Sequence, residues 1–287
     1  MSATILSGRT TRDALIPGLI QRVKSLGRAP VLAIIQVGDR PDSTSYIKMK
    51  KAFGERIGAE VRLIKLDETV PQEKLVKAIG DLNTDDSVDG VIVQLPLPGH
   101  LNRDTAIEAI DPKKDVDGLT SVQVKGWETG DEKAVLPATA RGVMTLLRYY
   151  KIGLAGKQVA VVGRSMLVGK PIAAACMKEK AIVSVLHSKT ADLAAETRKA
   201  EVIIVAAGRP NLIGRDQVRE GQIIIDVGIN TVKGDKLEDE VEGTKLVGDV
   251  DFEEVKDVVA AISPVPGGVG PMTVLSLFEN LLDLCEN

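Results

Sequence analysis

Unbroken apolar runs alternate with amphipathic stretches along this chain, and that rhythm predicts its elements. In the second half, QVAVVG (158–163) reads as a buried strand, residues 163–171 as a tight polar loop, and 172–177 as an apolar helical run. IVSVLH (182–187) is a second strand, 190–200 a helix, EVIIVAAG (201–208) a third strand and QIIIDVG (222–228) a fourth. Runs this continuous fit parallel strands covered on both faces, and strands alternating with helices imply βαβ units in an open parallel sheet. The first half repeats the logic. PVLAIIQVG (30–38) and AEVRLIKL (59–66) are strands, and VDGVIVQLPLP (88–98) contains a third. Helices are expected over 43–57, 71–84 and 102–110.

Residues 111–137 break the rhythm: DPKKDVDGLT is turn-rich, and VKGWETGDEKAVLP has charge and glycine with little periodicity. A boundary near 135–140 follows, dividing the chain into a first domain over 1–137 and a second over 138–271. A last helix over 272–287 carries Leu275, Phe278, Leu281, Leu282 and Cys285 at spacings of three and four, so it needs a surface to cover. Either this helix and the one after Thr139 join the domains and leave a cleft between them, or the last helix caps the second domain alone. The fold class is α/β, with two α/β domains and a cleft between them, the second being Rossmann-like with a parallel sheet.

A length of 287 residues suits about two domains. A net charge of −3 gives no reason to expect nucleic-acid or membrane-surface partners. No segment approaches the roughly 18 apolar residues of a membrane span, and MSATILSGRT lacks the apolar core of a signal peptide. The two cysteines, Cys176 and Cys285, lie in apolar helical contexts and read as thiols of a reducing cytoplasm. With only His100 and His187 present, a histidine-based metal cluster is excluded by count.

Two sets of residues carry candidate chemistry. In the second half, a strand–loop–helix from Gly163 through Gly169 has glycines that let the backbone approach a pyrophosphate at a helix start. The spacing is not the usual GxGxxG, and an ordinary βα turn is the alternative. The second strand of such a fold meets the adenosine ribose, where a carboxylate accepts the free 2′-hydroxyl of NAD. Here HSKT (187–190) supplies a hydroxyl and a cation, with Arg164 nearby in sequence, which suits the 2′-phosphate of NADP.

In the first half, Tyr46 and Lys50 share a helix face at a spacing of four. They are either a site pair, with a lysine whose pKa falls on desolvation, or part of a solvated face that also bears Lys48 and Lys51. Gln94, an amide in an apolar strand, needs a partner and is either a structural hydrogen bond or a site group. Asp117, in KDVDG, is either a turn residue or a carboxylate for a ligand edge with two N–H donors, and Asp115 competes for that role. PVPGGVGPMT (264–273) is dense in proline and glycine, which fixes an unusual backbone path with bare amides.

Taken in order, SYIKMKKAFGERIG (45–58), DGVIVQLPLPGH (89–100), DPKKDVDGLT (111–120), VVGRSMLVGKP (161–171), HSKT (187–190), DVGIN (226–230) and PVPGGVGPMT (264–273) make the chain resemble the bifunctional methylenetetrahydrofolate dehydrogenase/methenyltetrahydrofolate cyclohydrolase family over nearly its whole length. The resemblance implies oxidation of 5,10-methylenetetrahydrofolate by hydride transfer to NADP, then hydrolysis of the methenyl cation to 10-formyltetrahydrofolate. It implies a catalytic group of Lys50 as acid/base, Tyr46 stacking on or steering the folate, Gln94 tuning Lys50, and Asp117 binding the pterin N–H edge. Pro266, Gly267 and Gly268 would wall the folate slot. Gly163, Arg164 and Ser165 would hold the cofactor phosphates, with Ser188 at the 2′-phosphate, Ile229 at the nicotinamide side and Thr273 near it. A homodimer paired through second-domain surfaces is implied as well.

One departure is visible. Where the family has Pro-Cys-Thr-Pro, this chain has Pro137-Ala138-Thr139-Ala140, which is expected to alter hinge stiffness or packing without loss of activity. The rivals are a dehydrogenase without the cyclohydrolase step, a non-catalytic NADP- or folate-binding protein, and a dehydrogenase of small amino or hydroxy acids. Lys50 with Tyr46 and Gln94 argues against the first. An intact cofactor loop argues against the second. The third lacks a well-placed His or Arg for a small carboxylate.

Overall fold

The structure, a computed structural model, describes residues 3–233 and 244–286. In chain order the elements are β1 (Thr4–Ile5), α1 (Gly8–Ser25), β2 (Val31–Val37), α2 (Pro41–Ile57), β3 (Glu60–Leu66), α3 (Gln72–Asn83), β4 (Gly90–Val93), α4 (Arg103–Glu108), α5 (Ser121–Thr129), α6 (Ala138–Tyr149), β5 (Gln158–Val162), α7 (Gly169–Lys178), β6 (Ile182–Leu186), α8 (Leu193–Lys199), β7 (Val202–Val205), β8 (Ile223–Asp226), β9 (Asn230–Lys233), β10 (Thr244–Val247), α9 (Phe252–Val255), β11 (Ala261–Ile262) and α10 (Val269–Glu286). They fall into two compact units. One holds Met1–Arg12 and Thr139–Thr273, the other Asp13–Ala138 and Val274–Asn287.

The first of these units is built on a six-stranded sheet in the order β1-β11-β8-β7-β5-β6, with every neighbouring pair parallel. The chain runs from β5 outward to β6, then returns to place β7 on the other side of β5. That reversal is the switch point at which open α/β sheets bind ligands, beyond the strands' carboxyl ends. β7 is buried at all four positions, and Ala160, Val162, Ile203, Val205 and Ile224 join one aliphatic core. A short antiparallel pair, β9 with β10, is added beyond β8.

The other unit has a parallel three-stranded sheet, β3-β2-β4. β2 is central and buried at all seven positions, which is why its sequence reads as an apolar run rather than an alternation, interrupted only by Gln36, whose Nε2 donates to Thr44 Oγ1 (3.1 Å). Ala33, Ile35, Val91 and Val93 pack with Leu75 and Ile79 of α3 on one face. Phe53 of α2 meets Phe278 of α10 with ring centroids 5.3 Å apart.

Three features differ from expectation. The anticipated 1–137 domain loses its first twelve residues to the other unit, because β1 pairs with β11 at the edge of the six-stranded sheet. A two-residue strand carries no periodic signal. α1 has no counterpart in the sequence reading: Pro17 lies inside it, and its apolar stripe is thin, with Ile16, Leu19 and Val23 buried beside Thr11. Within the segment that lacks periodicity, α5 forms and buries only Gln123 and Trp127.

Candidate active site

α2 positions the first cluster. Pro41 opens the helix, where its missing N–H is no loss, and Gly58 closes it at φ 88°, donating to the carbonyls of Glu55 and Gly54. Ile47, Phe53 and Ile57 anchor one face in the core. Tyr46, 41% exposed, stands one turn before Lys50, which is half-buried. Lys50 Nζ donates to Gln94 Oε1 at 3.0 Å. The amide cannot turn freely: its Nε2 donates to the Leu95 carbonyl (2.8 Å), and its backbone N–H to the Ile35 carbonyl (2.8 Å). Gln94 thus sits just past β4 with its oxygen aimed at the lysine.

Burial lowers the Lys50 pKa, and the nearby Asp117 carboxylate partly opposes this. Burial raises the Asp117 pKa, opposed in turn by Lys50. A low-polarity site disfavours charge on both, so the two groups titrate as a pair.

The turn that presents Asp117 is heavily braced. Asp115, fully buried, accepts from the backbone N–H of Gly118 (2.9 Å) and Thr120 (2.7 Å). Burial pushes its carboxyl up to about 6. Asp115 is thus engaged by the turn it shapes. Gly118 adopts φ 67°, and a Cβ there would overlap the Val135 carbonyl. Trp127 Nε1 donates to the Gly118 carbonyl, and Asn280 Nδ2 donates to the carbonyls of Val116 (2.8 Å) and Leu136 (3.0 Å). Neither Trp127 nor Asn280 was anticipated. A lone amide within the apolar last helix was the available signal for Asn280. At the carboxyl ends of β2–β4 there is also an open cavity of about 660 Å³, lined in part by Arg40, Glu68, Thr69 and His100. Lys50, Gln94 and Asp117 do not line it.

The unit with the six-stranded sheet holds the second set. Gly163 ends β5 at φ 126°, where a Cβ would overlap the Ala206 carbonyl. A Cβ at Gly169, the first residue of α7, would overlap the Gly163 carbonyl. Both glycines are required for the loop to fold back this tightly, leaving Arg164 and Ser165 exposed between strand and helix. Ser188 follows β6 and is exposed. Ile229, 46% exposed, follows β8 and lies near Gly270. Thr273 Oγ1 is 3.5 Å from Thr139 Oγ1. In the proline–glycine loop the Gly267 carbonyl accepts from the N–H of Gly8 (2.9 Å) and Arg9 (3.2 Å), so Pro266, Gly267 and Gly268 are fixed against the start of α1.

Sequence reasoning also passed over two buried carboxylates in this unit. Asp226 accepts from the N–H groups of Gly228, Asp249 and Val250 at 2.9–3.0 Å, and burial pushes its carboxyl up to about 7. Asp249 accepts from three consecutive amides, Ala207, Gly208 and Arg209, and from Asn230 Nδ2. A Cβ at Gly248 would overlap the Asp226 carboxylate, and one at Gly228 the Asp249 carboxylate. The pair ties the ends of β7 and β8 together.

A parallel sheet with a glycine turn at its switch point, and a buried lysine bonded to an amide in a separate α/β unit, make a two-unit α/β protein with a dinucleotide-type sheet. Comparison with known proteins is specific. Residues 6–117 match the family model of the tetrahydrofolate dehydrogenase/cyclohydrolase catalytic domain, and residues 137–287 match the model of that family's NAD(P)-binding domain. The bifunctional protein FolD of Campylobacter jejuni is 46% identical over 287 residues, covering 99% of each chain. That of Thermus thermophilus is 43% identical over 284 residues, covering 99% of this chain and 96% of the relative. The C. jejuni FolD crystal structure superposes with a TM-score of 0.93 at 44% identity, covering 100% of this chain and 99% of that one. The Trypanosoma brucei FolD, complexed with NADP cofactor and inhibitor, also gives 0.93, at 35% identity and coverage of 100% and 98%. The chain belongs to the tetrahydrofolate dehydrogenase/cyclohydrolase family and is a bifunctional enzyme of that family.

Proposed function

We propose that residues 13–138 and 274–287 carry the one-carbon chemistry, with Lys50 as the acid/base group of the cyclohydrolase step, and that the other unit binds NADP. The observation that carries this reading is the Lys50–Gln94 hydrogen bond at 3.0 Å in a site whose burial lowers the lysine pKa.

The reaction is oxidation of 5,10-methylenetetrahydrofolate to the 5,10-methenyl compound, then hydrolysis to 10-formyltetrahydrofolate. NADP, when bound, supplies the hydride acceptor. The nitrogen lone pairs of the substrate expel the hydride, so the protein's part in oxidation is positioning. Hydrolysis asks more of the side chains. Neutral Lys50 accepts a proton from the water as its oxygen bonds to the methenyl carbon, then returns it to the ring nitrogen as that C–N bond breaks; the hydroxyl left on the carbon loses its own proton to solvent as it becomes the formyl C=O, so one group with a lowered pKa serves both transfers. A cationic substrate further disfavours the ammonium form before attack. Gln94 orients the amine and sets its basicity. Tyr46 offers its ring to the folate, and Asp117 its carboxyl to the pterin N–H edge. Pro266, Gly267 and Gly268 are proposed as further folate contacts. The cofactor phosphates are assigned to Gly163, Arg164 and Ser165, and the 2′-phosphate to Ser188. Ile229 and Thr273 serve the nicotinamide end. The tight turn enforced by Gly163 and Gly169 fits a pyrophosphate, which needs close approach of bare backbone.

Hydrolysis of supplied methenyltetrahydrofolate, with no cofactor present, tests the lysine role. Lys50→Met is expected to lose it, and an active Lys50→Met protein would refute the assignment.

A homodimer is proposed on the character of β6. It is an edge strand of a parallel sheet, yet Ile182 and Val185 are exposed, where both faces of such a sheet are normally covered. Light scattering on the eluted protein would give twice the chain mass. Residence in the cytoplasm is proposed from the two unpaired thiols, Cys176 and Cys285. No described helix is long and apolar enough to cross a membrane.

A further inference from the structure

The turn after β6 is closed by its own side chains, and this has a use. Thr190 N–H donates to the His187 carbonyl (2.8 Å), which makes the turn. His187 N–H donates to Thr190 Oγ1 (2.9 Å), and Lys189 N–H donates to His187 Nδ1 (3.1 Å). His187 and Thr190 are half-buried, while the two residues they bracket, Ser188 and Lys189, are exposed. His187 Nδ1 and Thr190 Oγ1 are therefore both engaged by the backbone of the turn itself. Ser188 and Lys189 are exposed on a backbone that these bonds fix, at the strand end where an open dinucleotide fold meets the adenosine ribose.

We propose that Thr190 and His187 are positioning residues for cofactor discrimination: they preorganise the Ser188-Lys189 turn so that its hydroxyl, ammonium and backbone meet a ribose 2′-phosphate without an ordering cost at binding. This rests on the assignment of Ser188 to the 2′-phosphate made above. A flexible turn would bear the same two groups but would have to order them on binding, which lowers affinity for the phosphate without touching the rest of the nucleotide. Discrimination between NADP and NAD then depends on two residues that do not themselves contact the phosphate.

The test is calorimetric titration of the full chain with adenosine 2′,5′-bisphosphate and, separately, with adenosine 5′-monophosphate. Thr190→Val keeps the side-chain shape and removes the acceptor of the His187 N–H. It is expected to weaken the bisphosphate about fivefold, as loss of one hydrogen bond implies, and to leave the monophosphate unchanged. Thr190→Ser restores the wild-type value. His187→Asn, whose amide oxygen takes the place of Nδ1, holds affinity better than His187→Leu. In the dehydrogenase assay the KM for NADP rises in Thr190→Val while that for NAD and both kcat values stay. Equal loss for both nucleotides in Thr190→Val, or no loss for either, overturns the positioning role. Ser188→Asp separates the two levels. If that variant binds the bisphosphate as wild type does, the 2′-phosphate assignment itself is wrong. If it loses the bisphosphate while Thr190→Val does not, only the positioning role falls.

Discussion

Gln94→Glu puts the proposed lysine chemistry under direct strain. The wild-type amide oxygen lies 3.0 Å from Lys50 Nζ and is held there by the bond from Nε2 to the Leu95 carbonyl. A carboxylate in its place sets a full negative charge beside the lysine. Two unit charges about 4 Å apart attract by about 1 kcal/mol in water and about 4 kcal/mol at an effective dielectric near 20. At about 1.4 kcal/mol per tenfold, the neutral amine becomes scarcer by about fivefold at the lower limit and several hundredfold at the upper. The cost of desolvating the new carboxylate pulls the result towards the lower figure. Gln94→Leu acts the other way, since it removes an acceptor that favours the ammonium form. The assay is the pH dependence of enzymatic methenyltetrahydrofolate hydrolysis at saturating substrate, with the spontaneous rate subtracted. Relative to wild type, the rising limb moves to higher pH in Gln94→Glu and to lower pH in Gln94→Leu. Coincident profiles, or the reverse order, would refute the claim that Lys50 acts as the neutral amine tuned by Gln94.

Other outcomes follow from particular contacts. Gly163→Ala forces a Cβ into the Ala206 carbonyl at φ 126°, so NADP-dependent oxidation is expected to fail while hydrolysis of supplied methenyltetrahydrofolate persists; parallel loss of both would count against the division of labour. Asn280→Ala strips two carbonyls of their donor and should cost about 1–3 kcal/mol in denaturant unfolding; an unchanged midpoint contradicts this. Asp226, raised by burial from 3.8 to about 7, makes the folded state bind the extra proton, so its contribution to stability is present below about pH 4 and is lost as pH rises to about 7. The fall in melting temperature between those values should be smaller in Asp226→Asn, and an equal or steeper fall refutes it. Ala140 is fully buried in the first turn of α6, where the backbone N–H has no intrahelical acceptor. Ala140→Pro is therefore expected to leave turnover unchanged, and a large rate gain would contradict the view that the Ala138 and Ala140 departures affect only stiffness and packing.

Much of the fold was legible because parallel strands covered on both faces leave largely apolar runs, as in β2, β5, β7 and β8, with Gln36 and Asp226 the buried polar exceptions in β2 and β8. Helix α2 was legible from its buried stripe, and the Tyr46–Lys50 spacing then placed both on one face. What escaped has physical reasons. β1 is two residues long, and its membership is decided by pairing with β11 some 250 residues away in sequence, which no local pattern encodes. α1 carries an internal proline and a thin stripe, and α5 buries an amide and an indole rather than an aliphatic row. At the site, Lys50 and Gln94 were named separately, but their 3.0 Å bond is a tertiary fact. Asp115 and Asp117 share a turn and a residue type. Only the hydrogen bonds to Gly118 and Thr120 show which one shapes the turn. Asp226 and Asp249 lie beside glycines, a signal readable in retrospect as room made for a carboxylate.

The most direct test of the central claim follows NADPH and the methenyl species together, with methylenetetrahydrofolate and NADP, in wild type and Lys50→Met. The account predicts NADPH without lasting methenyl build-up in wild type, and NADPH with accumulating methenyl in the variant. Methenyl accumulation in wild type, or its absence in an oxidising Lys50→Met enzyme, would contradict it.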